Sequence, residues 1–158
     1  MNTNITIQST FKCLLTAIVA FLFFNTSAVA QNNGIDLGLR VGMGRSNIKT
    51  GISGRYFLDN DVAVEGILSL SGSGGVALFG QKYFPLDNGL RFFAGGGAYL
   101  GFSSRNLLGI SGIAGIEYQF EEYPISVSFD WKPELNLIDN ARFNGVPVAL
   151  TARYRIDW

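Results

Sequence analysis

The chain of 158 residues contains no histidine and a single cysteine, Cys13. Without His there is no ordinary general base, no imidazole metal ligand and no side chain that switches charge near neutral pH. A dyad of His with Ser or Asp cannot be assembled, and nothing places a Ser usefully beside Lys49, Lys82 or Lys132. With neither His nor a cysteine beyond Cys13, zinc lacks its usual donors, and the Asp59-Asn60-Asp61 turn offers too few oxygens for calcium. Charged residues are also scarce, at 15%, and the 12 basic and 12 acidic side chains cancel. That balance argues against a nucleic-acid partner, which leaves a basic face. The expectation is a protein with no catalytic residues, no cofactor and no metal.

Glycine and apolar residues are plentiful. There are 20 Gly, well above the ~7% of average usage, and 47% of the chain is hydrophobic. The first thirty residues form a unit of their own. Lys12 precedes an apolar run from Cys13 to Phe24, which is too short for a spanning helix of about 20 residues. Small residues follow at Ala28 and Ala30, the pattern of a cleaved secretory signal peptide over 1–30. An N-terminal membrane anchor is the alternative. A lipidated cysteine fits poorly, because Cys13 stands before the apolar run rather than after it. Residues 31–158 then form one domain without cysteine.

From Gly34 onward the pattern is alternation, with no sustained helical stripe. The last segment sets Val146, Val148, Leu150, Ala152, Tyr154, Ile156 and Trp158 on one face, against Thr151, Arg153, Arg155 and Asp157 on the other. The same division recurs at Ile35–Met43, Val62–Leu70, Leu90–Phe102, Leu108–Phe120 and Ile125–Trp131. It is weaker over 48–58, and over 76–84 the facing is open. Eight strands result. Tight turn clusters at Asp59–Asp61, Pro85–Gly89 and Glu121–Pro124 mark one end, and polar or Gly-rich connections mark the other. This describes an all-β, antiparallel up-and-down barrel with both termini at the turn end.

Alternation does not say which face is inside. Three features favour a transmembrane barrel over a soluble one. Several segments reach the 9–11 residues that a tilted strand needs to span, and eight of them take roughly 72–88 residues. Tyr56, Phe57, Phe84, Phe92, Phe120, Tyr123 and Trp158 gather beside the tight turns, as an aromatic girdle would. The polar face supplies Arg40, Arg55, Glu65, Arg91, Glu117, Asp130, Lys132, Glu134, Arg153 and Arg155. Inside an eight-stranded barrel, just wide enough for side chains to fill, these would pair into a network and form a plug. On a soluble barrel the same residues would be a solvated face. Glycines inside strands, such as Gly95-Gly96-Gly97, permit sharp curvature. No helix follows them, so they do not form a phosphate loop.

The chain resembles the small eight-stranded outer-membrane barrels of Gram-negative bacteria, the OmpX/OmpA-type family. The likeness covers about 35–158 by pattern and is most specific in Leu150-x-Ala152-x-Tyr154-x-Ile156-x-Trp158. The stretch from Pro124 to Asn136 is also similar to short barrel proteins of this kind. The resemblance implies location in the cell outer membrane, outer-membrane lipid as surroundings, and a final segment (Tyr154, Ile156, Trp158) read by the barrel-assembly machinery. The connections here are short where adhesive relatives carry long ones, which counts against adhesion. The reading is a monomeric, non-catalytic barrel with a charge-paired lumen and a structural or surface-interaction role. The alternatives are a narrow channel for ions or very small solutes, and a soluble periplasmic lipid-binding barrel.

Overall fold

The computed structural model describes residues 34–44, 46, 48–72, 74–102, 107–138 and 142–157. The proposed signal peptide and Trp158 lie outside them. The described residues form strands and turns, with no helix. Ten strand segments run in chain order: β1 (Gly34–Met43), β2 (Gly51–Phe57), β3 (Val62–Ser69), β4 (Gly75–Pro85), β5 (Leu90–Gly101), β6 (Leu107–Gln119), β7 (Ile125–Trp131), β8 (Glu134–Asn136), β9 (Arg142–Asn144) and β10 (Val148–Asp157).

Neighbouring strands pair antiparallel from β1 through β7, and β10 pairs with both β7 and β1, so the sheet closes. Eight barrel strands account for all ten segments. β7 and β8 are one strand: both face β6 in an unbroken register, with Trp131 opposite Ala114 and Glu134 opposite Ser111. Lys132 and Pro133 divide them, because Pro133 has no N–H to donate. The Gly112 amide still donates to the Pro133 carbonyl at 3.1 Å. β9 extends β10 past a bulge. Lys132 bonds Pro147 and Glu134 faces Asn144, so one extra residue sits on the β9–β10 side. The Trp131 indole N–H fills the gap by donating to the Gly145 carbonyl at 2.7 Å.

Facing follows the alternation. Leu37, Leu39, Val41, Leu78, Ile110, Ile116, Phe129 and Leu150 point outward and are exposed, Leu39 by 69%. The opposite parity is buried. Residues 76–84, left open by the sequence, turn Ala77, Phe79, Gln81 and Tyr83 inward and Val76, Leu78, Lys82 and Phe84 outward. Phe57 departs from the expected girdle. It shares the parity of Arg55 and points inside, with its ring 5.2 Å from that of Tyr83. Tyr56, Phe84, Phe92, Phe120 and Tyr123 are exposed near the turns as expected, joined by Tyr118 and Tyr154.

The small circumference is built with glycine where strands must approach closely. Phe93 of β5 lies opposite Gly115 of β6, and Tyr99 lies opposite Gly109. In both pairs the inward ring occupies the space that a side chain on β6 would need: a Cβ at position 115 would sit 2.8 Å from Phe93 Cζ. An aromatic on one strand covers the bare backbone of the next.

Candidate functional site

The inward side chains divide the lumen lengthwise. One side is apolar: Ile67, Ala77, Phe79, Phe93, Tyr99 and Ile113 cluster on β3 to β6. The other side holds charges carried mostly by β1, β2, β6, β7 and β10. All ten residues singled out from the sequence point inward and form ion pairs there, with Arg91 and Arg155 at the turn-end mouth.

At the turn end, Arg55 uses its whole guanidinium. Its Nε donates to Asp36 Oδ2 at 3.0 Å, its Nη1 donates to the Tyr83 hydroxyl at 2.6 Å, and its terminal nitrogens also grip Glu117. Glu117 is shared by three arginines, Arg55, Arg91 and Arg153. Arg155 donates to the far oxygen of Asp36 at 3.0 Å. The Phe57 ring lies among three of these guanidiniums, with Arg55, Arg91 and Arg155 at 4.9, 5.4 and 5.6 Å from its centroid. Such faces attract cations through the ring quadrupole.

One step toward the loops, Arg153 donates to Glu65 at 2.5 Å, to Ser53 at 3.1 Å and to Ser128 at 2.8 Å. Glu65 also accepts from Ser53 and from Gln81, and Gln81 accepts from Tyr83 at 2.7 Å. Next comes Arg40, which clasps Asp130 with both terminal nitrogens at 2.8 and 2.6 Å and reaches Thr151 at 3.3 Å. The two-pronged geometry is the strong form of the arginine–carboxylate contact. At the loop end Lys132 bonds Glu134 at 3.0 Å and the Ile48 carbonyl at 3.0 Å. Ser46 donates to Glu134 at 2.5 Å and accepts from the Ile48 amide at 3.1 Å. The connection after β1 therefore turns inward, and Ile48 closes the apolar side from above.

This arrangement is dry. Glu65, Glu117, Asp130, Thr151 and Phe79 are each 0% exposed, on five different strands. Buried ions are tolerable only when paired and hydrogen-bonded, because the penalty for a lone one is several kcal/mol (order of magnitude). Every charged group of the mid-lumen has an ion-pair partner, with the buried Arg40 Nε left without a hydrogen bond among the described residues.

Several members of the network go beyond the ten residues marked by charge and parity. Asp36, on the polar parity of Ile35–Met43, holds two arginines. Its parity with Arg40 is the signal that would have found it. Tyr83 and Gln81 were hidden by the undecided facing of their strand, and Ile48 by the assumption that 48–58 is one strand. Arg142 lies in β9 and is exposed. Of the proposed terminal signal, Tyr154 and Ile156 point outward and Trp158 is outside the described residues.

No protein-family model and no curated protein matches the chain. Among solved structures, the N-terminal β-barrel domain of OprF from Pseudomonas aeruginosa is similar. It is 17% identical with a TM-score of 0.57, and the match covers 79% of this chain and 98% of that one. A likeness at that identity is one of fold: the described residues are all-β and close as an eight-stranded antiparallel barrel, an architecture shared with that β-barrel domain.

Proposed function

We propose that the protein is an integral outer-membrane β-barrel of the OmpX/OmpA type whose filled lumen makes it a structural or surface-presenting element, not a catalyst. The observation that carries this is the inversion of facing. Leucines and isoleucines stand exposed all around the outside while buried ion pairs occupy one side of the inside. A soluble protein rarely exposes contiguous apolar area beyond a few hundred Å². A soluble lipid-binding barrel would show the reverse, with an oily cavity inside a charged exterior. Closure leaves no unpaired sheet edge around the cylinder, which is what a strand-built span requires. The outward aromatics near the turns suit a headgroup girdle. The supporting reading of residues 1–30 is a cleaved address, and that of Tyr154, Ile156 and Trp158 is a signal to the assembly machinery; the surroundings are outer-membrane lipid, and the barrel is monomeric.

The test is to place charge on the outward face. Leu39→Arg and Phe129→Arg should each block insertion, since arginine at mid-depth costs about 2–4 kcal/mol on a lipid-facing strand. Folding is followed by the gel mobility of unboiled against boiled protein extracted from the envelope. Normal insertion of both variants would overturn the membrane reading.

A further inference from the structure

The turn end carries a hollow with both signs of charge on its wall. The connection from β4 to β5 is a tight turn, in which the Leu90 amide donates to the Asp87 carbonyl at 3.0 Å and the Leu86 amide to the Leu90 carbonyl at 2.9 Å. Asn88 (φ 52°) and Gly89 (φ 77°) supply the left-handed backbone that such a turn needs at both central positions. The Gly89 carbonyl accepts from the Gln119 amide at 2.8 Å, which ties the turn to the end of β6. Between this turn and the start of the next lies a hollow of about 280 Å³, lined by Arg91, Asp87 and Glu121 and by the exposed side chains of Leu86 and Phe120. Arg91 is only partly used. Its Nη2 is bonded to Glu117, whereas Nη1 has no hydrogen-bond partner among the described residues and Nε is buried without one. Its side chain keeps 16% exposure. Asp87 and Glu121 make no ion pair with a described residue.

We infer that this hollow binds a small zwitterion of the amino-acid or short-peptide class. The ligand's carboxylate meets Arg91, its ammonium lies beside Asp87 and Glu121, and its apolar part rests on Leu86 and Phe120. The charge set decides the class. A guanidinium with open donors suits a carboxylate. The two carboxylates on the same wall attract an ammonium and repel a second negative charge, so a bare anion is the poorer fit. Size follows from the volume, which lies just under the ~300–1,000 Å³ of sites for drug-sized ligands. The turn that forms one wall is already fixed by its own hydrogen bonds, so little ordering is needed on binding. The inference needs only the barrel and its turns, not the membrane reading above.

The experiment titrates the isotope-labelled full barrel, folded in detergent micelles, with alanyl-alanine and follows its amide signals by NMR. Signals of Asn88, Gly89, Arg91 and Glu121 should shift and saturate. Arg91→Gln should weaken binding about ten-fold, the size of one hydrogen bond to a charged group. Because that change also takes a partner from Glu117, a second variant confined to the turns is included. Asp87→Asn with Glu121→Gln should weaken alanyl-alanine about ten-fold without weakening acetate, and Asp59→Asn, on another turn, should change neither. Three probes serve as competitors: acetate, inorganic phosphate and glycerophosphoethanolamine. Each should bind more weakly than alanyl-alanine. No saturable shift, or unchanged affinity in the double turn variant, would overturn the proposal. Acetate or phosphate binding as tightly as the dipeptide would overturn it in favour of a simple anion site, and tighter glycerophosphoethanolamine in favour of a lipid headgroup. Micelles suffice for these titrations, so this inference and the membrane reading can fail separately.

Discussion

Arg153 and Arg142 carry the same side chain into opposite circumstances. Arg153 is buried and bonded to Glu65, Ser53 and Ser128, whereas Arg142 is exposed and makes no ion pair with a described residue. Removing one member of a buried pair leaves its partner uncompensated, at about 3–5 kcal/mol. An exposed substitution away from such features stays within about ±0.5 kcal/mol. Arg153→Ala should therefore lower the urea midpoint clearly and Arg142→Ala hardly at all; equal midpoints would remove the energetic role of the network. Parity alone predicted which ten charged residues would turn inward, and it would also have placed Asp36 and Phe57. Phe57 was assigned instead by its closeness to a turn. A girdle residue must be both near the end and on the outer parity, and Phe57 meets only the first condition.

At the level of strands, the β5–β6 pair joins aromatic to glycine across the ladder. A Cβ on Gly115 would stand 2.4 Å from the Phe129 carbonyl oxygen as well as against the Phe93 ring, and backbone cannot give way cheaply. Gly80 is on the outer face with nothing within 4 Å. Gly115→Ala should cost about 1–3 kcal/mol through overpacking, and Gly80→Ala should lie near zero, as read from thermal or urea midpoints. A neutral Gly115→Ala would show that the ring has room to move. Strands with one apolar and one polar parity, such as β1 and β10, were legible from sequence. β4 was not, because its inward residues belong to the apolar side of the lumen. There Phe79 and Tyr83 turn inward while Lys82 faces out, so neither parity looks like a core. The break at Pro133 and the bulge near Gly145 were equally hidden, since both depend on pairing with distant strands.

For the molecule as a whole, the stacked pairs leave the barrel centre inaccessible to water. Planar-bilayer recordings of the wild-type protein should show no steady unitary conductance, and a reproducible step would replace the plug reading with a narrow channel. An eight-stranded cylinder has room for little besides its own side chains, and here half of that room is taken by rings and aliphatics. The mixed filling was not foreseen. Alternation marks which residues enter the lumen but not how they divide around it.

The pairing also constrains the order of construction. Arg153 finds Glu65 across 88 positions of chain, Arg40 finds Asp130 across 90, and Arg155 finds Asp36 across 119. Until the final strand arrives, Glu65 lacks its arginine, and Asp36 and Glu117 each lack one of theirs. A half-built sheet is thus electrically unfinished on its concave side and must stay wetted. Docking of the last strand neutralises and dries that surface in one event, as an arch holds only when its keystone drops in.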